Sequence, residues 1–424
     1  MAAPPTPLVF KVTRREPVLI TPSEPTPHEL KPLSDIDDQD GLRVQIPIIC
    51  FYSYDPAMQR RDPVQVIKEA LAKTLVFFYP LAGRLREGPG RKLSADADAT
   101  LEQFGDALYP PIPCLEDLLF DVPGSGEMIN CPLLLIQVTR LRCGGIVFAL
   151  RLNHTMSDAT GLNQFLSAMC EMVHGARTPS IQPVWERHIL MARNPPQVTC
   201  SHHEYDQLAD TSDNIPLTMK THRSFFFGPA DLSAIRGLAP PHLRHCSTFD
   251  VLTAFLWRCR TIALQPNPNE EMRVIVIVNA RNRFNPPILS GNGNSGRNLT
   301  NSLGFTLGLV RKAKANVTEE YMRSVADLMV IKEDLAMFAE MNFGWGKPKF
   351  AGPAKGNVAS FQILYRNKNG EDGILVTLCL PTPAMERFEK ELDSTFKEQS
   401  NGGGDAKPPY LPCRENNCSS FQMI

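Results

Sequence analysis

Between Leu152 and Gly161 the chain reads LNHTMSDATG, which sets His154 four residues ahead of Asp158. An imidazole is the side chain suited to take up and return a proton near neutral pH, since its unperturbed pKa is about 6.5. Spacing alone is weak support. With nine histidines in the chain, such a pair arises by chance about once in every two chains like this one. The sequence supplies its own decoy in SHHEYD, where His202 stands four residues before Asp206. Setting separates the two. His154 closes an apolar run and precedes a helix-like stripe, a junction rigid on both sides and open at one end. His202 falls in a polar, aperiodic stretch, where nothing is expected to fix its ring. Each member of the first pair also has a purely structural role open to it. Asp158 can cap the helix that follows, and His154 can be a hydrogen-bonded core histidine.

No GxSxG elbow, P-loop, GxGxxG after a strand or HExxH occurs, so a lone histidine argues for general-base chemistry. A second segment, NFGWGKPKFAGPAKG from Asn342 to Gly356, interleaves Gly344, Gly346, Gly352 and Gly356 with aromatic and basic residues. By itself it reads as a glycine-rich loop whose Trp345 packs over a core edge.

The elements that must position these residues are legible around them. CPLLLIQVTRL and CGGIVFALRLN read as neighbouring strands turning at Gly144 and Gly145. Leu162, Phe165, Leu166, Met169, Met172 and Val173 make a helical stripe with Gly175 as its C-cap. Asp62 and Pro63 open another helix, with Val64, Ile67, Leu71, Leu75 and Phe78 on one face and Pro80 as its stop. Farther on, STFDVLTAFLWRCRTIAL reads as a helix capped by Ser247 or Thr248 and RVIVIVNAR as a buried strand. TEEYMRSVADLMVIKEDLAMFAEM is a long helix, GILVTLCLP a strand, and EQSNGGGDAKPPY opens a tail expected to be mobile. Helices and strands intermix throughout, which gives an α/β class.

At 424 residues the chain predicts two domains. The division expected is 1–192, a connector at 193–214, and 215–424. A net charge of −1 points to neither nucleic acid nor an anionic membrane as partner. No apolar run approaches the roughly 20 residues that span a bilayer, and the N-terminus lacks a signal-peptide layout. Eleven cysteines without CxxC pairs suit reduced thiols in the cytoplasm and predict no metal site. NHT, NLT, NVT and NCS match the glycosylation pattern by chance on this reading.

HTMSD followed by FGWGK, with FYPLAGRL, LLLIQVTRL, CSTFDVLTAFLW and VNAR, resembles the plant BAHD acyltransferases. That family carries HxxxD and DFGWG motifs in this order, and the likeness spans nearly the whole chain. Within the family it is most similar to alcohol acyltransferases that make volatile esters. The resemblance implies two similar-sized, mixed-sheet α/β domains of the chloramphenicol acetyltransferase-like kind, with a channel at their interface. It implies transfer of an acyl group from acyl-CoA, as co-substrate, to a small benzyl or aliphatic alcohol. No acyl-enzyme, bound cofactor or metal takes part, and the family's usual state is a monomer. It assigns His154 as general base and the indole N–H of Trp345 as oxyanion donor. Asp158 turns away to pair with Arg281, and Asn342, Gly344 and Gly346 support the site.

The chain also departs from the family. Asn342 stands where the family has aspartate, keeping size but losing charge. Segments are shortened after GRKLS, before NSLGF and before NFGWG. These departures leave a second reading, a catalytically weak or inactive member acting as a binding or partner protein. A third keeps the fold with an amine acceptor or a hydroxycinnamoyl or malonyl donor.

Overall fold

The computed structural model describes residues 10–29, 31–38, 42–84, 95–97, 112, 114–121, 131–202, 220–266, 280–285, 307, 310–311, 314–329, 350–353, 360–367 and 369–401. The chain divides into two compact units. One takes Met1–Gln197, Pro286–Asn294 and Ala326–Lys355, and the other takes Val198–Asn285, Ser295–Val325 and Gly356–Ile424. Each unit is assembled from separate stretches of sequence, and the first crossing falls inside the stretch expected to be a connector.

In chain order the first unit contains β1 (Val12–Arg14), β2 (Gln45–Tyr52), α1 (Pro63–Phe77), β3 (Ala95–Ala97), α2 (Leu115–Leu118), β4 (Leu134–Arg140), β5 (Ile146–Asn153) and α3 (Ala159–Val173). α1 starts where its cap chemistry places it. The Asp62 carboxylate accepts from Val64 N at 3.2 Å and Pro63 fills the first helical position. β4 and β5 pair antiparallel from Leu134↔Leu152 to Arg140↔Ile146. Their turn uses Gly144 at φ +83, and a Cβ there would come within 2.5 Å of the Tyr54 ring. β5 is buried almost throughout and is central in the sheet, with β4 on one edge and β2 on the other, in keeping with its apolar run from Ile146 to Leu150. α1 and α3 cover one face of this sheet, and Leu71, Leu75, Phe148, Leu150, Phe165 and Leu166 share a single core. Burying each such side chain contributes about 1.5–3 kcal/mol.

The second unit contains β6 (Lys220–Phe227), α4 (Pro229–Gly237), α5 (Thr248–Leu264) and part of α6 (Glu319–Met329), within which the boundary between the units falls. After β7 (Phe350–Pro353), which belongs to the first unit, the second unit continues with β8 (Phe361–Arg366), β9 (Asp372–Pro381) and α7 (Thr382–Asn401). The first sheet runs β1-β3-β4-β5-β2-β7, antiparallel except for the β3–β4 pair, and the second runs β6-β9-β8, antiparallel. Ser247, of the two candidates, caps α5 by accepting from Asp250 N at 3.2 Å. α5 and α7 bury Phe255 and Phe388 with Phe227, Val376 and Leu378 of the sheet.

Two expectations change. The end of the glycine-rich segment is not loop, since Phe350–Pro353 is β7 and pairs with β2 through Gly352↔Ile49. The stretch from Arg193, expected to lack support, is pinned to α6. Asp327 accepts from Arg193 N and Nε, each at 2.6 Å, and the Ser324 hydroxyl accepts from Thr199 N and Cys200 N, each at 3.0 Å. His202 is therefore buried rather than exposed, with Nε2 2.8 Å from Ser324 Oγ and its ring edge-on to Tyr321 at 4.6 Å. Nearly all of RVIVIVNAR, the C-terminal half of the long helix, Asp206 and the tail beyond Asn401 lie outside the described residues. Among the described residues the cysteines are free thiols, no His/Cys/Asp/Glu group could hold a metal, and no helix is long and apolar enough to cross a membrane.

Candidate active site

β5 ends at Asn153, and a single 3-10 turn, His154–Met156, joins it to α3. The Asn153 side-chain oxygen caps this turn, accepting from Thr155 N at 3.1 Å and Thr155 Oγ1 at 2.7 Å. Asn153 N donates to the Leu133 carbonyl at 2.8 Å and His154 N to the Val44 carbonyl at 2.9 Å, so the residues just ahead of β4 and β2 hold the turn. With Asn153 fully buried, the NHT match is no glycosylation site.

His154 is fully buried, and its Nδ1 lies 3.1 Å from the Ser157 carbonyl oxygen. A carbonyl only accepts, so Nδ1 carries the proton and Nε2 holds the lone pair. This is the tautomer of an oriented general base. Asp158 takes the structural role open to it, since its Oδ1 accepts from Gly161 N at 2.9 Å and it is the N-cap of α3. The turn is tight. A Cβ on Gly161 would lie 2.3 Å from Ser157 Oγ.

Arg187 was not singled out in the sequence. It is buried, and donates to the Thr155 carbonyl at 3.3 Å, the Met156 carbonyl at 2.9 Å and the Asp37 carboxylate. Only its place between Trp185 and the Ile189–Leu190 pair hints at this. Beside the same turn Phe78, Leu81, Met156, Leu162, Phe165 and Trp185 line an apolar pocket. Phe78 meets Phe165 edge-on at 5.4 Å and Trp185 at 6.4 Å. Burial raises the thiols of Cys50 and Cys259, the latter to about 12, so neither is set up as a nucleophile.

The remaining site residues are placed less closely. Arg281 is buried in a 3-10 turn of the second unit. Asn342, Gly344, Trp345 and Gly346 lie outside the described residues. β7, which follows them, runs in the direction of β5, with Phe350 opposite Phe51 and Pro353 opposite Ile48. On the far side of β2, Phe51 faces Val147 and Ile48 faces Leu150. The chain therefore enters the sheet at the Ile146 end of β5, about 20 Å from the His154 end by strand rise.

A family model described as the Transferase family matches residues 10–337 and 306–395. The chain belongs to that family, the BAHD acyltransferases. Among curated BAHD relatives, the benzyl alcohol O-benzoyltransferases of Nicotiana tabacum and Petunia hybrida are each 58% identical over 435 residues, covering 92% of this chain and 95% of theirs. Alcohol acyl transferase 1, allele GSd, of Malus domestica is 49% identical over 439 residues, with the same coverage. The 435 aligned positions exceed the 92% of 424 residues that enter the alignment, so this BAHD chain lacks residues that its relatives carry. Solved structures share the fold. Vinorine synthase matches with TM-score 0.63 at 22% identity, covering 91% of this chain and 98% of that one. F. sporotrichioides TRI101 complexed with coenzyme A and T-2 matches with TM-score 0.65 at 18% identity, covering 86% and 97%.

Proposed function

We propose that the protein is an acyl-CoA-dependent O-acyltransferase that makes esters of benzyl or small aliphatic alcohols, with His154 as general base. The observation that carries this reading is the His154 ring, held through Nδ1 by the Ser157 carbonyl at 3.1 Å in the family's HxxxD motif. Nε2 takes the proton of the alcohol as its oxygen attacks the thioester carbonyl. The tetrahedral oxyanion then collapses, the C–S bond breaks, and the imidazolium returns the proton to the leaving thiolate. The acyl group passes directly to the alcohol, so no protein nucleophile is required. Relatives named for benzyl alcohol and other alcohols support an alcohol as the acceptor. A monomer acting in the cytoplasm accords with the family's usual state and with cysteines that carry no CxxC spacing.

By the resemblance, the Trp345 indole N–H donates to the oxyanion. Trp345→Phe keeps the ring and removes the donor, so it should lower kcat about 10²–10³-fold; an unchanged kcat removes Trp345 from the chemistry. An inactive binding protein is not favoured by relatives at 58% identity named as acyltransferases. Purified protein, a panel of acyl-CoAs and benzyl alcohol, read by thiol release, tests the reading. Alcohol-dependent release is expected, and none with any donor would overturn it.

A further inference from the structure

The turn that carries His154 has an unusual support. Its C-cap, Ser157, is extended at φ −168 and ψ 142, so no helical N–H follows to meet the carbonyls of Thr155 and Met156. Thr155 and Met156 are both buried, and buried carbonyls need donors. Arg187 supplies them with the two arms of its guanidinium fork, Nη1 to Thr155 and Nη2 to Met156. A guanidinium buried this deeply needs a counter-charge, and Asp37, fully buried, provides it. Asp37 is fixed in turn by Ser34, whose hydroxyl donates to its carboxylate at 2.7 Å and accepts from Asp37 N at 3.2 Å.

We propose that Arg187 and Asp37 are the positioning pair of the general base. Their hold runs from Ser34 through Asp37 and Arg187 to the carbonyls of Thr155 and Met156, and from there to the next peptide, whose Ser157 carbonyl fixes His154 Nδ1. Neither residue touches the reacting atoms. The pair sets where Nε2 points, and a misplacement of about 1 Å at a base can cost about 10²-fold. The proposal rests on the reading of His154 as base.

Two variants test it, in steady-state assays with benzoyl-CoA and benzyl alcohol beside a melting curve. Arg187→Lys keeps a charge for Asp37, but an ammonium lacks the planar fork that meets two carbonyls. The Asp37→Leu/Arg187→Met double variant replaces the whole pair by apolar groups, a change that buried pairs often tolerate in stability. In each, kcat should fall about 10–10²-fold with KM within about twofold and a cooperative melt retained. Wild-type kcat in either folded variant, or a loss confined to KM, overturns the proposal. If the double variant does not fold, Arg187→Lys decides alone. His154→Ala is run alongside. If it stays active, the base assignment fails whatever Arg187 does. If it is inactive while the pair variants turn over normally, only the positioning role falls.

Discussion

The two histidines that begin an HxxxD spacing differ in a way burial does not reveal. Both are buried, and both rings are held by a hydrogen bond within their own unit. His154 is gripped through Nδ1 by a backbone carbonyl of its own turn, which fixes the tautomer and leaves the lone pair on Nε2. His202 is gripped through Nε2 by a hydroxyl that can donate or accept, and its ring packs on Tyr321. Ser324 also accepts from Thr199 N and Cys200 N, so His202 belongs to a knot tying the chain to α6. A histidine can thus be rigid and still be only a fastener. What marks a base is which nitrogen the support occupies.

Three changes sharpen this contrast, in falling order of their effect on stability. Asp158→Asn retains a good N-cap and removes only the charge. If Asp158 pairs with Arg281, the variant loses up to about 3 kcal/mol, the low end for a buried pair because Asp158 is half-buried, and turnover falls with it. Wild-type stability and turnover would reject the pairing and leave Asp158 as a cap alone. His202→Ala, by contrast, should cost about 1–3 kcal/mol through the lost Ser324 and Tyr321 contacts. Its turnover should stay within about threefold of wild type. A melting curve identical to wild type would show that the knot holds nothing.

The third is a pH effect on the same knot. Burial alone would raise the Asp327 carboxyl, but the backbone N–H and guanidinium of Arg193 outweigh it and hold the carboxyl below the usual range. A depressed carboxyl contributes stability that is complete above its unfolded value of about 3.9 and lost as pH falls through the folded one. The wild type should therefore lose more stability than Asp327→Asn as the pH falls below about 4. Parallel acid melts of the two proteins would contradict this.

Where local physics decides, the sequence was readable. The strands before His154, the caps at Asp62 and Ser247, the turn at Gly144 and the cap on α3 stand where their residue types place them. Side chains that meet only on folding were not. Arg187 and Asp37 lie 150 positions apart and His202 and Ser324 122 apart, and no spacing rule joins them. His202 was misread because polar neighbours hid one buried residue, and a window of composition reports an average, not a partner. FAGP was read with its glycines as loop, yet β2 offers it a strand edge; pairing overrides glycine's weak strand preference.

The central claim, that His154 and not His202 is the base, is tested most directly by initial rates of thiol release from benzoyl-CoA and benzyl alcohol for His154→Ala and His202→Ala side by side. Each variant must first show a cooperative melt. The account predicts a loss of about 10²–10⁴-fold for His154→Ala and less than about threefold for His202→Ala. Equal losses in the two variants, or a His154→Ala protein that turns over like the wild type, would contradict it.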